Sequence, residues 1–420
     1  MAEIKKILIA NRGEIVQRAI RTIKEMGKKS VAVYSAGDKN ASYLKHADEA
    51  VCIGGAKSSE SYLNIPALIT AAEMTGCDAI FPGYGFLSEN QDFVEICKLH
   101  NIKFIGPSSE VMEKMADKSK AKEEMVRAGV PVVPGSKGAV RTLDEGKKIA
   151  REIGYPIMAK ASAGGGGRGM RLIKEEKDFD SQYLAASSEA LAAFGDGTMY
   201  LERFINNPRH IEVQVIGDSH GNAIHIGERD CSLQRRHQKV IEESPAILLN
   251  DETRAKLHEV AVKATKYLKY EGAGTFEFLA DDKQNIYFME MNTRLQVEHP
   301  VSEMVSGLDI IEWMIKVAEG EKLPPQESIR FRGHAIECRI TAEDPNNFLP
   351  CPGKITQWMV PGGRNVRVDS HIYTNYIVPP YYDSMIGKLI VWGRDREKAI
   401  NIMKRALSEF EVEGIKTNIQ

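Results

Sequence analysis

The stretch YPIMAKASAGGGGRGMRLI, residues 155–173, places an apolar run that carries Lys160 directly before four consecutive glycines. A dinucleotide-binding turn would continue into a helix after its glycines, whereas residues 170–173 have the character of a second strand. The stretch therefore predicts a strand, a glycine-rich loop and a strand, a hairpin whose backbone N–H groups can fold over phosphates. A mobile surface hairpin is the alternative. The P-loop pattern G-x-x-x-x-G-K-S/T is absent, which excludes a P-loop nucleotide site.

Two later runs, GTFEF at residues 274–278 and YFMEMN at residues 287–292, each carry a carboxylate among apolar residues. The short polar stretch between them predicts a hairpin, so Glu277 and Glu290 would project from neighbouring strands. Two such carboxylates either point to solvent or repel each other unless a cation lies between them. Mg²⁺ is commonly held by one or two carboxylates together with substrate phosphates. Asn292 would add an amide oxygen on the same face as Glu290.

Two stretches dense in charge, residues 228–239 and 292–300, each follow a predicted strand. A solvated loop is the ordinary interpretation of the first stretch. The second alternates Arg294, Gln296 and Glu298 directly after the proposed metal ligands. Arginine can hold a small planar anion through two hydrogen bonds, and a nearby glutamate can accept a proton. The second stretch therefore predicts an anion site with its own base.

The regions around these motifs differ in their predicted secondary structure. Between residues 5 and 105, short apolar runs alternate with helical patterns, which predicts a parallel, doubly wound sheet. A long polar helix is predicted over residues 109–128. From residue 212 onward strands dominate and predict a largely antiparallel sheet flanked by helices at residues 251–268 and 309–318. Short strands and turns follow.

Composition narrows the class of protein. A chain of 420 residues, 43% hydrophobic and 27% charged, suggests two to four globular domains. The net charge of −2 gives no bulk attraction to nucleic acid or to an acidic membrane. The six cysteines form no C-x-x-C pair, which favours reduced thiols and a cytoplasmic location. Apolar runs fall short of the ~20 residues that span a bilayer, so we expect neither a membrane nor a nucleic acid as partner.

The motifs taken together resemble those of ATP-grasp enzymes. Several longer strings are similar, more narrowly, to those of biotin carboxylases: ANRGEI at 10–15, FPGYGFLSEN at 81–90, residues 228–243, residues 290–301 and YYDSMIGK at 381–388. The resemblance covers essentially the whole chain, and the long strings are far more specific than the glycine loop.

The resemblance implies a multidomain fold of α/β and α+β parts. Residues 1–113 would form an N-terminal Rossmann-like domain. Residues 114–330 would form an ATP-grasp domain with a glycine-rich lid at about 131–204. Residues 331–420 would form a strand-rich C-terminal domain.

The resemblance also implies residues for ATP and for Mg²⁺ or Mn²⁺. Phosphate contacts would come from two lysines and the glycine loop: Lys118, Lys160, Gly165, Gly166 and Gly167. Adenine, ribose and the remaining phosphate contacts would come from Glu202, Phe204, Ile205, His210, Gln234 and His237. The metal would be held by Glu277 and Glu290, with Asn292 nearby.

The remaining implied residues serve bicarbonate and biotin. Bicarbonate would be surrounded by Lys239, Arg294, Gln296 and Val297. Glu298 would be the general base, Arg339 would stabilise the biotin enolate, and Tyr84 would lie near the biotin. A Met-Lys-Met biotinylation motif and a carboxyltransferase region are absent from these residues. The resemblance therefore implies a separate biotin carboxyl carrier protein and carboxyltransferase subunits, and a homodimer.

Two departures and two alternatives accompany this interpretation. Arg203 stands where some family members have lysine, and family members usually continue through a further helix beyond residues 414–420.

Another ATP-grasp ligase, such as a carbamoyl-phosphate or purine-pathway enzyme, would share the ATP and metal motifs but not the Arg294–Glu298 stretch with Arg339. A non-catalytic nucleotide-binding scaffold subunit would be expected to lack metal or base residues that are present here.

Overall fold

A computed structural model describes residues 3–161, 169–236 and 238–419. They form two compact units. The first comprises Met1–Glu113, Ile211–Phe276 and Met291–Gln420, and the second comprises Lys114–His210 and Glu277–Glu290. None of the helices in the described ranges is long and apolar enough to cross a membrane.

The N-terminal part of the first unit is a parallel sheet, as predicted. Its elements are β1 (Lys6–Ile9), α1 (Glu14–Glu25), β2 (Lys29–Tyr34), β3 (Glu49–Cys52), α2 (Ile65–Met74), β4 (Ala79–Phe81), α3 (Gln91–Leu99) and β5 (Lys103–Phe104). The strands lie in the order β3-β2-β1-β4-β5, each parallel to its neighbour. The apolar face of α1 is buried, including Ile15 and Ile23. The edge strand β3 was not predicted, and its residues are largely exposed.

The second unit contains the glycine hairpin. Its helices and strands follow α4 (Ser109–Ala116) and are α5 (Lys118–Arg127), α6 (Leu143–Ile153), β6 (Ile157–Ala161), β7 (Met170–Ile173), α7 (Phe179–Phe194) and β8 (Met199–Arg203). Strands β6 and β7 pair antiparallel, with Lys160 opposite Met170, which confirms the two predicted strands. Residues 162–168, which include Gly165, Gly166 and Gly167, lie outside the described residues.

Two predictions for this region were wrong or incomplete. The long polar helix over residues 109–128 is two helices, because Asp117 interrupts it and its Oδ1 accepts the backbone N–H of Lys120 at 2.9 Å. Helix α7 was not predicted. Its many alanines and serines give little contrast between an apolar and a polar face, which is the signal that identifies a helix in sequence.

A large, predominantly antiparallel sheet dominates the rest of the chain, as predicted. Its strands and flanking helices are β9 (Arg209–Gly217), β10 (Ala223–Arg235), β11 (Gln238–Ser244), α8 (Asp251–Tyr267), β12 (Gly272–Ala280), β13 (Ile286–Asn292), α9 (His299–Ser306), α10 (Ile310–Ala318) and β14 (His334–Thr341). The C-terminal elements are β15 (Gly353–Lys354), β16 (Gln357–Met359), β17 (Val366–Ser370), β18 (Ile377–Val378), β19 (Met385–Gly393), α11 (Arg396–Ser408) and β20 (Glu411–Glu413). The sheet order is β13-β12-β9-β10-β11-β14-β19-β17, and β12 and β13 contribute residues to both units.

The first charged stretch, residues 228–239, is not the solvated loop that its composition suggests. It forms the paired end of β10 and the beginning of β11. The charges at its beginning, Glu228 to Asp230, are buried, whereas Arg236 near its end is exposed. Arg229, for example, is fully buried and donates to Glu212 on the neighbouring strand β9.

Candidate active site

One group of expected site residues lies in the second unit, around Glu202 of β8. Lys160 on the adjacent strand β6 donates from Nζ to Glu202 Oε2 at 2.5 Å. Burial and the charge of Lys118 lower the pKa of Lys160 to about 8. A lysine with a pKa close to physiological pH is still largely protonated there, so Lys160 offers phosphate a positive charge in a partly dry setting.

Lys122 belongs to the same group and was missed in the sequence. It contacts Glu202 and lies 4.9 Å from the centre of the Tyr200 ring. Burial and the charges of Lys160 and Lys118 lower the pKa of Lys122 to about 7. The available signal was spacing, because residues four apart share one face of a helix and Lys122 follows Lys118 by four.

The two expected carboxylate ligands of the metal also lie in the second unit. Glu290 Oε2 is 3.3 Å from Lys118 Nζ, and Glu277 Oε2 is 3.0 Å from His210 Nε2. Each carboxylate thus already has a basic neighbour, and one of these is an expected phosphate ligand. Carboxylate oxygens next to residues that are expected to contact phosphate fit Mg²⁺, which takes oxygen ligands from protein and phosphate together.

The remaining expected nucleotide residues have different placements. The Phe204 N–H donates to the Pro156 carbonyl at 3.1 Å, and Ile205 is buried. Gln234 is an exposed residue of β10, in the first unit, and its Nε2 donates to the Cys231 carbonyl at 2.9 Å. His237 lies outside the described residues.

The second group of expected residues lies in the first unit, around Glu298. Glu298 is buried, and its Oε1 accepts from Lys239 Nζ at 2.8 Å. Its Oε2 accepts from Arg339 Nη2 at 2.9 Å. Burial raises the pKa of Glu298, but the cations Lys239, Arg339 and Arg229 lower it, and the net result lies below the usual value. Glu298 is therefore a carboxylate at neutral pH, the form that a general base requires.

Gln296 is held in this group by a residue that the sequence interpretation did not select. Arg229 donates to Gln296 Oε1 at 2.5 Å and to Glu212 Oε2 at 3.0 and 3.1 Å. Lys239 contacts Glu212 as well as Glu298. Arg229 and Glu212 thus fix both the amide and the lysine expected around bicarbonate.

Arg294 is anchored from the N-terminal part of the same unit. Its Nε donates to Glu89 Oε2 at 2.8 Å, and its Nη2 donates to Asn292 Oδ1 at 2.8 Å. Glu89 also accepts the backbone N–H of Thr293 at 3.0 Å. Glu89 belongs to the string FPGYGFLSEN, so the resemblance included it without giving it a role.

Tyr84 and Val297 are linked through a buried ion pair. The fully buried Lys388 donates from Nζ to the Val297 carbonyl at 2.9 Å and lies 2.9 Å from Glu14 Oε1. Glu14 also accepts from the Tyr84 hydroxyl. Burial raises the pKa of Tyr84 well above its ordinary value, so its phenol is neutral. One lysine thereby connects the loop expected at bicarbonate with the tyrosine expected at biotin.

Family models match most of the chain. "Biotin carboxylase, N-terminal domain" matches residues 3–112, "Carbamoyl-phosphate synthase L chain, ATP binding domain" matches residues 117–326, and "Biotin carboxylase C-terminal domain" matches residues 337–420.

Individual proteins are similar over nearly the full length. A biotin carboxylase of Nostoc sp. is 57% identical over 416 residues, covering 99% of this chain and 93% of the relative. A Campylobacter jejuni biotin carboxylase–β,γ-ATP complex is 69% identical with a TM-score of 0.94, covering 99% of this chain and 94% of that one. The biotin carboxylase domain dimer of Hydrogenobacter thermophilus 2-oxoglutarate carboxylase, with MgADP and bicarbonate, is 50% identical with a TM-score of 0.92, covering 100% and 93%.

Proposed function

This chain belongs to the biotin carboxylase family of ATP-dependent ligases, and we propose that its two side-chain groups serve the two stages of biotin carboxylation by bicarbonate. The observation that carries the proposal is Glu298, a buried carboxylate hydrogen-bonded to both Lys239 and Arg339. The two cations keep Glu298 ionised, and they can also stabilise the additional negative charge that bicarbonate gains when it loses its proton.

The first stage activates bicarbonate. Glu298 takes the bicarbonate proton, and an oxygen of the resulting anion attacks the γ-phosphorus of ATP. The bond from that phosphorus to the bridging oxygen breaks, which yields carboxyphosphate and ADP. Bicarbonate is held by Lys239, Arg294, Gln296 and Val297. Catalysis here is mainly positioning and charge neutralisation, as in phosphoryl transfer generally.

The group in the second unit holds the nucleotide. Lys118 and Lys160 bind phosphate, Glu202 with the backbone at Phe204 and Ile205 holds adenine, and the glycine loop closes over the phosphates to exclude water. His210, Gln234 and His237 complete the contacts around the ribose and phosphates. Bound Mg²⁺ neutralises phosphate charge, and Glu277 and Glu290 would hold it with Asn292 nearby.

The second stage transfers the carboxyl group. Carboxyphosphate releases CO₂ and phosphate, and the phosphate takes the proton of the ureido nitrogen of biotin. Arg339 stabilises the negative charge on the ureido oxygen, and the neutral Tyr84 lies beside the ring. The nitrogen then forms its bond to CO₂.

The carrier of the biotin and the final acceptor are part of the proposal. We propose a separate biotin carboxyl carrier protein, carboxyltransferase subunits, a homodimeric enzyme and a cytoplasmic site of action. Acetyl-CoA, at the first step of fatty acid synthesis, is the proposed acceptor. A relative from a 2-oxoglutarate carboxylase shows that chains of this family also serve other acceptors.

The test is ADP release from MgATP with free biotin, measured with and without bicarbonate. We expect release to need bicarbonate and to increase strongly with biotin, and label from bicarbonate to appear in carboxybiotin. ADP release indifferent to both would indicate another ATP-grasp ligase. ATP binding without any release would indicate a scaffold subunit.

A further inference from the structure

Two buried glutamates lie directly opposite each other next to the Glu298 group. Glu242 of β11 and Glu337 of β14 are partners in the antiparallel register, and both side chains are fully buried. Directly opposite residues of an antiparallel pair lie on the same face of the sheet with Cβ atoms about 5 Å apart. Two carboxylates in this arrangement repel each other, and burial strengthens the repulsion.

The hydrogen bonds of the pair are incomplete. Glu242 Oε1 accepts from Arg339 Nε at 2.7 Å. Within the described part of the chain, Glu242 Oε2 and both carboxylate oxygens of Glu337 have no hydrogen-bond partner. A buried carboxylate without donors is costly, whereas one shared proton removes a charge and supplies the missing donor.

The charges around the pair come from every neighbouring element. Arg339 shares β14 with Glu337, Lys239 shares β11 with Glu242, and Lys388 faces Glu337 from β19. Glu298 faces both glutamates from the loop before α9, and Lys388 also faces Glu14 and Asp369. Burial raises the pKa of Glu242 to about 7 and raises the pKa of Glu337 well above its ordinary value.

We propose that Glu242 and Glu337 share one proton and together position Arg339 for the biotin step. This inference rests on the proposed function, which places biotin at Arg339. When Glu298 takes the bicarbonate proton it loses the charge that attracts Arg339 Nη2. Glu242 keeps its hold on Nε, so the guanidinium stays aimed. The shared proton limits the pair to one negative charge, which leaves Arg339 able to stabilise the charge on the ureido oxygen.

The test compares three glutamine variants. Glu242→Gln should lower biotin carboxylation about tenfold more than biotin-independent, bicarbonate-dependent ATP cleavage. This ratio corresponds to a difference of RT ln 10 between the changes in the two activation free energies. Glu337→Gln imitates the protonated acid and should stay within about twofold of wild type at neutral pH. Glu243→Gln is the matched control, because Glu243 is the next residue of β11 but is bound by His334 and Arg396 instead. It should leave the ratio of the two activities unchanged.

Two further measurements read the proton itself. In wild type, loss of the shared proton at high pH adds a negative charge beside Arg339, so the biotin step should decline. Glu337→Gln cannot lose that proton, and its decline should begin at higher pH. The infrared band of a protonated carboxylic acid should be present in wild type at neutral pH and reduced in Glu337→Gln.

The outcomes separate this inference from the proposed function. The inference would be overturned, even with an active wild type, if Glu242→Gln lost both activities equally. It would also be overturned if the infrared acid band were unchanged in Glu337→Gln. A wild type without bicarbonate-dependent ADP release would overturn the proposed function, and the infrared comparison would still decide whether the proton is shared. If Glu242→Gln does not fold, the pH profile and infrared band of Glu337→Gln decide.

Discussion

Glu298 is the residue on which the proposed first stage depends most directly, since it is the carboxylate shared by Lys239 and Arg339. Replacing Glu298 with glutamine keeps its size but removes the base. We expect turnover to fall by at least about 10²-fold, the lower end of what a general base contributes. ATP affinity, measured by calorimetry, should stay near that of wild type. Near-normal turnover would show that another group takes the bicarbonate proton.

Lys122 allows a prediction about the pH dependence of ATP binding. Burial and the charges of Lys160 and Lys118 lower the pKa of Lys122 itself to about 7. Lys122 therefore loses its positive charge as the pH rises through neutrality, and that charge contacts Glu202, a residue expected at the nucleotide. Lys122→Met carries no charge at any pH, so the increase of the KM for ATP that wild type shows as the pH rises through about 7 should be absent in the variant.

The matched control for this prediction is Lys120→Met. Lys120 lies two residues away on α5, and its side chain is exposed. Its removal should leave the pH dependence of the KM unchanged. A profile of Lys122→Met that overlays the wild type would mean that the charge of Lys122 does not contribute to ATP binding.

At the residue scale, motifs indicated the residues expected to touch substrates but not the residues that hold them. Glu298 stands in a string, residues 290–301, that is long enough to be matched with a family. Glu242 contacts Arg339 across 97 positions of sequence. Contacts of that separation are created by strand pairing, and one sequence contains no record of them.

At the element scale, the break between α4 and α5 determines where Lys118 begins its helix. Asp117 caps α5 by accepting the Lys120 N–H. Asp117→Ala should lower the free energy of unfolding by about 1 kcal/mol, the usual value of an N-cap, and Asp117→Asn should retain most of it. Urea unfolding of both variants measures the difference. Equal unfolding midpoints for alanine and asparagine would show that the side chain does not cap the helix.

The elements that the sequence predicted are those with strong contrast between polar and apolar residues. This contrast is present in the glycine hairpin, in the alternating N-terminal strands and helices, and in the antiparallel sheet. Residues 228–239 were interpreted as a loop because charge ordinarily lies in solvent. There, the partners of the charges come from β9 and other distant segments, so burial could not be inferred locally.

At the scale of the whole molecule, the fold class was predictable because long strings resembled one family throughout the chain. The distribution of charge in the core was not predictable from the sequence. Buried acids in the described residues fall into two kinds, and adjacent positions of β11 represent both. Burial raises the pKa of Glu243, but hydrogen bonds from His334 and Arg396 lower it to about 2. The pKa of Glu242, in contrast, is raised to about 7.

Replacing Glu242 and replacing Glu243 should therefore change the stability that is lost at acid pH in opposite directions. The pKa of Glu243 is lower in the folded protein than its ordinary value of 4.5. The stabilisation that the ionised Glu243 gives to the folded state is therefore present above that pH and is lost as the pH falls towards about 2. Glu242 has a raised pKa, so its contribution favours the folded state below about 4.5 and is lost as pH rises through about 7. Between pH 7 and pH 3, Glu243→Gln should lose less stability than wild type, and Glu242→Gln should lose more. Denaturant unfolding at both pH values measures this. Shifts of the same sign in the two variants would mean that the buried charges are not divided in this way.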